Sequence, residues 1–199
     1  FAILLRVLVL VTVMAACGVD QEITRPSTRV GGDGGEMVGS GIPNGSDPTA
    51  TQLFLLALKE KSAVVHESAA FALGRIGDSS AVPDLIKSLE DPNPQVRESA
   101  AFALGQIGDS SAIPSLIRKN NDSEWVVRKE AAFALGQISD PVAINSLVSF
   151  LKDPSMQVRG NAAFALGQLG DPRAVSSLIQ ALKDEDEQVR GNVAFALGK

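Results

Sequence analysis

The sequence predicts an all-α protein, an α–α superhelix of stacked helix hairpins, on two observations. The first is a strict repeat of five identical Phe-Ala-Leu-Gly tetrads at 31-residue spacing, which begin at Phe71, Phe102, Phe133, Phe164 and Phe195. The second is that each unit holds two apolar stripes with helical spacing, separated by a polar or proline-containing turn. A fixed period of this length is typical of solenoids, in which each unit packs only on its neighbours.

Composition limits the classes of function. The 199 residues carry a net charge of -5, so electrostatics gives no support to a nucleic-acid partner. With a single histidine, His66, and a single cysteine, Cys17, the chain lacks an intrachain disulfide and the residues of a nucleophilic triad. We expect no cofactor and no small-molecule substrate. The chain begins at Phe1 and ends inside a repeat at Lys199, so we also expect a longer gene product.

The first region, residues 1–16, is almost wholly apolar, with Arg6 as its only charge. The run is shorter than the ~20 residues that span a bilayer, and an apolar core ending in small residues is typical of a secretory signal peptide. Its end resembles the lipobox of bacterial lipoproteins, with the sequence Met14-Ala15-Ala16-Cys17. The resemblance implies lipid attachment at Cys17 and a place in the cell envelope, on the periplasmic or extracytoplasmic side of a bacterial membrane. An ordinary signal peptide is the alternative.

Residues 17–46 form a second region of different composition. Glycine and serine are concentrated between Gly31 and Ser46, and such residues bury little surface and resist ordering. We therefore expect a flexible Gly/Ser-rich tether. The glycines do not indicate a phosphate-binding loop, because no apolar strand precedes them and no Lys-Ser or Lys-Thr pair follows.

The repeats occupy residues 47–199, and the last unit is unfinished. In the second unit an apolar stripe that starts at Val82 predicts a first helix, which Asp78 is placed to cap. An Asp-Pro-Asn-Pro turn follows, and Asp91 is predicted to cap the second helix. Gly108 is predicted to end that helix. By the same spacing the units begin at Asp47, Asp78, Asp109, Asp140 and Asp171.

A glycine recurs near the end of every second helix, where it costs about 1 kcal/mol relative to alanine. We expect these glycines to admit the close approach of a neighbouring helix. They are Gly74, Gly105, Gly136, Gly167 and Gly198. The phenylalanine of each tetrad is predicted to fill the junction between units, a structural role that outweighs a cofactor pocket.

The repeated pattern Asp-Pro-x-x-x-Val-Arg-x-x-Ala-Ala-x-Ala-Leu-Gly-x-Ile-Gly-Asp resembles the HEAT repeat. It is most similar to the short variety named after phycobilisome lyases. The resemblance implies a right-handed superhelix of antiparallel helix pairs over residues 47–199, with the second helices on the concave side. In HEAT proteins that side and the turn ridges commonly bind other proteins, so the resemblance implies a protein partner.

Two charged residues keep the same register in successive units. An arginine follows a valine in the second helices, and an aspartate lies six residues earlier. The arginines are Arg97, Arg128, Arg159 and Arg190, and the aspartates are Asp91, Asp122, Asp153 and Asp184. We interpret them as a ladder of Asp–Arg pairs between neighbouring units, because the carboxylate recurs at the same period. The alternative is a basic row that binds an acidic partner.

Positions that differ between units are candidates for partner contacts. On the second helices these are Glu98, Lys129, Gly160 and Gly191, and then Ser99, Glu130, Asn161 and Asn192. Amides recur at constant spacing in Gln106, Gln137 and Gln168. These polar residues either contact a partner or form a solvated face.

The only tryptophan, Trp125, stands at the turn into a second helix, off the apolar stripe. Other units have Pro94, Met156 and Glu187 at this place. Trp125 is either an anchor for a partner or a side chain that lies over a neighbouring turn.

One motif points to metal chemistry, because Val65-His66-Glu67-Ser68-Ala69-Ala70 resembles a motif of deoxyhypusine hydroxylase. That HEAT-repeat enzyme holds two irons with His-Glu pairs, so the resemblance makes His66 and Glu67 candidate metal ligands. A single pair does not complete an iron site, and later units lack it. They have Arg97-Glu98, Arg128-Lys129, Arg159-Gly160 and Arg190-Gly191.

The sequence therefore predicts a membrane-tethered lipoprotein that presents a HEAT-repeat surface to a protein partner and is not an enzyme. The alternative is an enzyme or enzyme accessory of the bilin lyase or deoxyhypusine hydroxylase type.

Overall fold

The computed structural model describes residues 48–60 and 62–199. The predicted signal peptide, Cys17 and the tether lie outside the described residues. The described part holds ten α-helices and five short 3-10 helices and no strand, so the all-α prediction is confirmed.

Each unit pairs a first helix with a second helix, and in the later units the second helix is the longer. The first helices are α1 (Pro48–Ala57), α3 (Val82–Ser88), α5 (Ile113–Arg118), α7 (Ile144–Phe150) and α9 (Val175–Ala181). The second helices are α2 (Ala63–Ile76), α4 (Pro94–Ile107), α6 (Trp125–Ile138), α8 (Met156–Leu169) and α10 (Glu187–Leu197).

A 3-10 turn precedes each first helix from the second unit onward. These turns are Ser79–Ala81, Ser110–Ala112, Pro141–Ala143 and Pro172–Ala174. The predicted cap is present, because Oδ1 of Asp78 accepts a hydrogen bond from the backbone N–H of Ser80 at 2.9 Å. Asp109, Asp140 and Asp171 accept the same bond in their units. The aspartate at the start of each of these units therefore fixes the entry into its first helix.

The second helices begin two residues later than predicted. Asn93 is the N-cap of α4, and its side-chain oxygen accepts from the N–H of Gln95 at 2.9 Å. The prediction that Asp91 caps this helix is wrong, because Oδ1 of Asp91 accepts from the N–H of Asn93 instead. The other oxygen of Asp91 lies 3.2 Å from Nδ1 of His66 in the preceding unit. The carboxylate therefore holds the turn and links two units.

Gly108 ends α4 in the left-handed conformation, with φ 76°, as predicted. Only glycine adopts this conformation without steric cost. Ser139 takes the same place after α6 at φ 55°, and its hydroxyl donates to the carbonyl of Gly136 at 2.7 Å. That hydrogen bond offsets part of the strain at a non-glycine residue.

Consecutive second helices touch backbone to backbone at the recurrent glycines. A Cβ added to Gly105 would lie 2.7 Å from Cα of Ala134, and one added to Gly136 would lie 2.6 Å from Cβ of Ala165. No side chain fits at such distances, so the close-approach prediction is confirmed at these positions. Gly198 differs, because only carbonyl oxygens of its own helix lie within 4 Å of an added Cβ.

This close approach sets the curvature of the array. The second helices pack on one another along the whole series, whereas the first helices touch one another much less. A stack that is spaced more tightly on one side bends toward that side. The second helices therefore line the inner side, and a core of fully buried leucines separates the two rows, including Leu85, Leu104, Leu116, Leu135 and Leu147.

No helix within residues 48–60 and 62–199 has the length and apolarity required to cross a bilayer.

Candidate functional site

A row of phenylalanines runs along the exposed side of the second helices. Phe71, Phe102, Phe133 and Phe164 are half-buried, and Phe195 is 48% exposed. The prediction that these side chains fill the junctions between units is therefore confirmed only in part, because rings stack across junctions but remain partly exposed. Residues two apart on a helix point about 200° apart. Because Leu104 is fully buried in the core, Phe102 faces the opposite way, toward the inner surface.

At two junctions the rings of consecutive units stack on one another. The centroids of Phe71 and Phe102 lie 5.5 Å apart with planes at 8°, and those of Phe164 and Phe195 lie 5.9 Å apart at 15°. Aromatic pairs in this arrangement contribute about 0.5–1.5 kcal/mol beyond the area that they bury. We call the five side chains the phenylalanine stripe, since they give the inner side an apolar track with a fixed period.

Amides lie along one side of the phenylalanine stripe. Gln106, Gln137 and Gln168 are exposed, and each follows a stripe phenylalanine by four residues. Residues four apart are neighbours on a helix surface. The side chains therefore offer donors and acceptors beside the apolar track. In the last unit Nζ of Lys199 lies 5.2 Å from the ring centroid of Phe195.

A charged cluster lies at the middle of the inner side. Nζ of Lys129 lies 3.5 Å from Oε1 of Glu98 and 3.4 Å from Oε2 of Glu130. Burial raises the pKa of Glu130, although the charge of Lys129 opposes the shift. The cluster holds two carboxylates and one ammonium group, so it carries more acidic than basic groups.

Toward the C-terminal units the same positions lose their charges. Gly160 and Gly191 stand where Glu98 and Lys129 stand in the earlier units. Nδ2 of Asn192 donates to the carbonyl of Gly160 at 3.0 Å, and Asn161 is half-buried. The inner side is therefore charged at its middle, and the equivalent helix positions of the later units are uncharged.

The predicted Asp–Arg pairs join each turn to the next. Nε and Nη2 of Arg97 donate to the two carboxylate oxygens of Asp122 at 2.8 and 2.7 Å. Nη1 of Arg97 donates to the backbone carbonyls of Asp91 and Pro92. The ladder interpretation is confirmed for three pairs with this geometry, Arg97–Asp122, Arg128–Asp153 and Arg159–Asp184.

These three guanidinium groups are occupied inside the array, so they offer little free charge to an acidic partner. The hydrogen bond from Arg159 lowers the pKa of Asp184. Burial alone would raise the pKa of Asp122, but the bond from Arg97 and further hydrogen bonds and charges outweigh it and lower the pKa. Nη1 of Arg190 donates to the carbonyls of Asp184 and Glu185.

His66 takes the place of arginine in the first pair of the ladder. Nδ1 of His66 lies 3.2 Å from Oδ2 of Asp91, while Glu67 is exposed. Among the residues that the structure describes, no three His, Cys, Asp or Glu side chains are grouped so that they could hold a metal ion. His66 is therefore a ladder residue here, and the described units do not assemble the metal ligands that the His66-Glu67 motif suggested.

The edge where the second helices begin carries two exposed apolar residues. Trp125 is 41% exposed and Met156 is 44% exposed, and they are the first residues of α6 and α8. Both line a depression together with Pro154, Gln157 and Glu185. The indole therefore lies beside the turn of the next unit, as one alternative predicts, and still presents much of its surface to solvent.

Sequence reasoning missed that the phenylalanine stripe is partly exposed on the inner side. The signal that would have found it is the helical position of Phe102, which differs by half a turn from that of the core residue Leu104. Identical tetrads suggested a purely structural role, although an exposed residue can repeat as strictly as a buried one.

Comparisons with known proteins agree with the repeat fold. A family model described as HEAT repeats matches residues 51–119 and 118–198. No curated protein matches the chain in sequence.

Several solved structures are similar. The complex of CpcE and CpcF of phycocyanin lyase from Nostoc sp. PCC7120 is 25% identical, with a TM-score of 0.68 and coverage of 86% of this chain and 70% of that chain. The Escherichia coli protein YibA is 28% identical, with a TM-score of 0.57 and coverage of 76% and 55%. A designed armadillo repeat protein in complex with the peptide (KR)4 is 22% identical, with a TM-score of 0.61 and coverage of 75% and 81%.

Proposed function

Because the chain belongs to the HEAT-repeat family, we propose that it is a scaffold that binds a protein segment along its inner side. The observation that carries this proposal is the phenylalanine stripe, a series of partly exposed rings in register on consecutive helices. Aromatic side chains are enriched among the residues that dominate binding energy at interfaces. Core packing does not account for the stripe, because the rings lie opposite the buried leucines.

The chemistry of the inner side defines the kind of segment that fits. Apolar side chains of the partner pack on the rings, and its backbone or side-chain amides bond to Gln106, Gln137 and Gln168. The charged group around Lys129 sets which stretch of the partner lies at the middle of the array. The rings are held by packed helices before binding, so little ordering entropy opposes association.

The similarity to the CpcE and CpcF complex supports a protein partner, because that structure contains two different chains bound together. At 25% identity the similarity supports binding to some protein partner, but it does not indicate which protein that is.

Site-specific photocrosslinking in cells tests the proposal. A photoreactive amino acid placed at Gln137 on the inner side should capture the same partner as one placed at Gln106 or Gln168. The matched control is Asn145, which is exposed on α7 in the outer row. We expect crosslinks at the three inner positions and not at Asn145.

A substitution in the phenylalanine stripe is a second test of the same proposal. Phe133→Ala should weaken capture at Gln137 while the helix content measured by circular dichroism stays the same. Val142→Ala is the control, because Val142 is 66% exposed outside the second helices. The proposal fails if capture occurs equally at Asn145, or if Phe133→Ala leaves it unchanged in a folded protein.

We further propose that lipid on Cys17 tethers the scaffold to a bacterial membrane, on its periplasmic or extracytoplasmic side. The apolar run of residues 1–16 and the position of the only cysteine at its end support this proposal. Residues 17–46, rich in glycine and serine, would give the scaffold reach from the bilayer.

Membrane fractionation tests the tether. Cys17→Ser should move the protein from the membrane fraction to the soluble fraction, and labelling with a radioactive fatty acid should disappear. Ser46→Ala is a matched control in the same region. Unchanged membrane association of the Cys17→Ser protein would contradict the tether and leave the scaffold proposal intact.

The similarity to the lyase complex also favours a second candidate, an accessory subunit that assists an enzyme acting on a bilin. Mixing the purified chain with a free bilin tests it by absorbance spectroscopy. A saturable shift of the bilin spectrum would support the accessory role, and an unchanged spectrum would count against it. Iron analysis of the same sample addresses the hydroxylase alternative.

A further inference from the structure

A second apolar surface lies at the edge of the array, where the second helices begin. Trp125 and Met156 occupy equivalent positions in consecutive units and are 41% and 44% exposed. Trp125 precedes Phe133 by eight residues, which corresponds to about 12 Å along the helix axis. This edge is therefore separate from the phenylalanine stripe, and a binding role for it goes beyond the proposed function.

The side chains of these two residues have no evident role in starting their helices. The equivalent residues in the neighbouring units are Pro94 and Glu187. The fixed φ of proline suits the first position of a helix, and the negative charge of glutamate interacts favourably with the helix dipole. The helices α4 and α10 also have side-chain caps, whereas α6 and α8 have none. In α8 the hydroxyl of the N-cap, Ser155, donates to Oε1 of Gln157 instead.

The charge around the two apolar residues is negative. Glu124 precedes Trp125 and is exposed, as is Glu187, one repeat after Met156. The side chain of Glu185 is 88% exposed and lines the depression between the two apolar residues.

Positive groups nearby do not cancel these carboxylates. Arg159 lines the depression too, and its guanidinium group is shared between Asp184 at 2.7 Å and Glu185 at 3.4 Å. Arg190 also donates to the backbone carbonyls of Asp184 and Glu185. Lys152 and Lys183 line a different depression, beside Val148. The starts of α6 and α8 add about half a positive charge each. The four carboxylates of Glu124, Asp184, Glu185 and Glu187 still outnumber the two arginines and these helix ends, so the edge keeps a small excess of negative charge.

We propose that this edge binds a cationic amphipathic segment of a partner protein. A lysine or arginine of the segment lies over the indole of Trp125, where the ring attracts a cation. An apolar side chain next to it enters the depression beside Met156. Further basic groups lie near Glu124, Glu185 and Glu187, so an acidic segment is rejected by the same charges.

The single tryptophan gives a direct readout. The whole chain is titrated with a peptide of alternating lysine and leucine while indole emission is recorded. We expect a saturable change, weakened by added salt. A peptide with glutamate in place of lysine and one with serine in place of leucine should give no saturable change.

Variants that retain the fluorophore locate the site. Met156→Ser should weaken binding of the lysine-leucine peptide about tenfold, as expected for an apolar anchor. The double variant Glu185→Gln with Glu187→Gln should also bind the peptide more weakly, and its affinity should change less with salt concentration. Val142→Ser is the matched control at another exposed apolar position, and it should bind like the original chain.

The outcomes separate this inference from the proposed function. Equal response to the glutamate peptide, unchanged binding by Met156→Ser, or no change in emission would overturn the edge proposal. Phe133→Ala should leave the fluorescence titration unchanged, because it alters only the inner side. Partner capture at Gln137 can therefore persist when the edge proposal fails. Peptide binding at the edge can likewise persist when no partner is captured at Gln137.

Discussion

Glycine inside a helix has opposite consequences at two positions of this chain. Gly136 in α6 meets Ala165 of the next second helix, whereas a Cβ added to Gly191 in α10 meets nothing within 4 Å. Helix propensity is the same at both places, since both are interior positions. Whether replacing such a glycine raises or lowers the free energy of unfolding therefore depends on the neighbouring unit and not on the helix itself.

We predict that Gly136→Ala destabilises the fold by about 1–3 kcal/mol, because the new methyl group overpacks the contact with Ala165. Gly191→Ala should stabilise it by about 0.5–1 kcal/mol through helix propensity alone. Urea denaturation measures both, and Gly136→Leu should be worse than Gly136→Ala. Equal effects of the two alanine variants would contradict the close-approach argument.

Glu130 is a buried carboxylate whose pKa is raised by burial. A group with a folded-state pKa above its unfolded value contributes stability below the unfolded pKa, and that contribution is lost as pH rises through the folded pKa. We predict that Glu130→Gln raises the melting temperature at pH 7, and that the difference disappears below about pH 4. Thermal melts across this range measure it.

The control for this prediction is Glu67→Gln, since Glu67 is exposed on the first of the second helices. Its melting temperature should follow that of the original chain at every pH. A Glu130→Gln variant that is less stable at pH 7 would show that the contact with Lys129 outweighs the cost of burial.

At the scale of elements, the turns between the first and second helices are joined by the ladder. Asp122, Asp153 and Asp184 each accept a backbone bond in their own turn and a guanidinium from the preceding unit, as Asp122 does with Glu124 and Arg97. Only 5% of the Asp122 side chain is exposed, so the pair is shielded from water. Loss of the arginine leaves a poorly hydrated carboxylate with only its backbone hydrogen bond.

We predict that Arg97→Ala costs about 1–3 kcal/mol of unfolding free energy, because it leaves the shielded carboxylate of Asp122 without its guanidinium partner. Replacing both partners, with Arg97→Leu and Asp122→Leu, should cost less than Arg97→Ala alone. Arg173→Ala is the control, since Arg173 pairs with Asp171 while 60% exposed, and it should change stability by about 0–1 kcal/mol. Similar losses for Arg97→Ala and Arg173→Ala would contradict this account.

At the scale of the whole molecule, the constant period means that each unit meets its neighbours through equivalent residues. Gly105 contacts Ala134 in the same way that Gly136 contacts Ala165. Stability in such an array is close to a sum of unit and interface contributions. A complete unit can therefore be removed without breaking the pattern of contacts.

We predict that deletion of residues 109–139 yields a folded, shorter array with the same helix content per residue and a lower melting temperature. Gly105 then meets Ala165, and Arg97 then pairs with Asp153. Deletion of residues 109–123, which removes a first helix only, should unfold the array beyond the cut. Circular dichroism and small-angle scattering measure both, and equal damage by the two deletions would contradict a repeat-by-repeat stack.

The sequence by itself determined the period, the paired helices, the glycine contacts and the register of the Asp–Arg ladder. Each follows from local spacing, since a helix fixes which residues share a face and a constant period fixes which residues meet in the next unit. Close backbone approach was predictable because an interior glycine needs a reason to be there.

Only the tertiary structure decided which faces remain open. It placed the phenylalanine stripe on the inner side, moved the cap of α4 from Asp91 to Asn93, and made His66 part of the ladder. Those outcomes depend on how closely the second helices pack and on which carboxylate a neighbouring unit requires. Such distances are properties of the assembled stack, and no single unit encodes them.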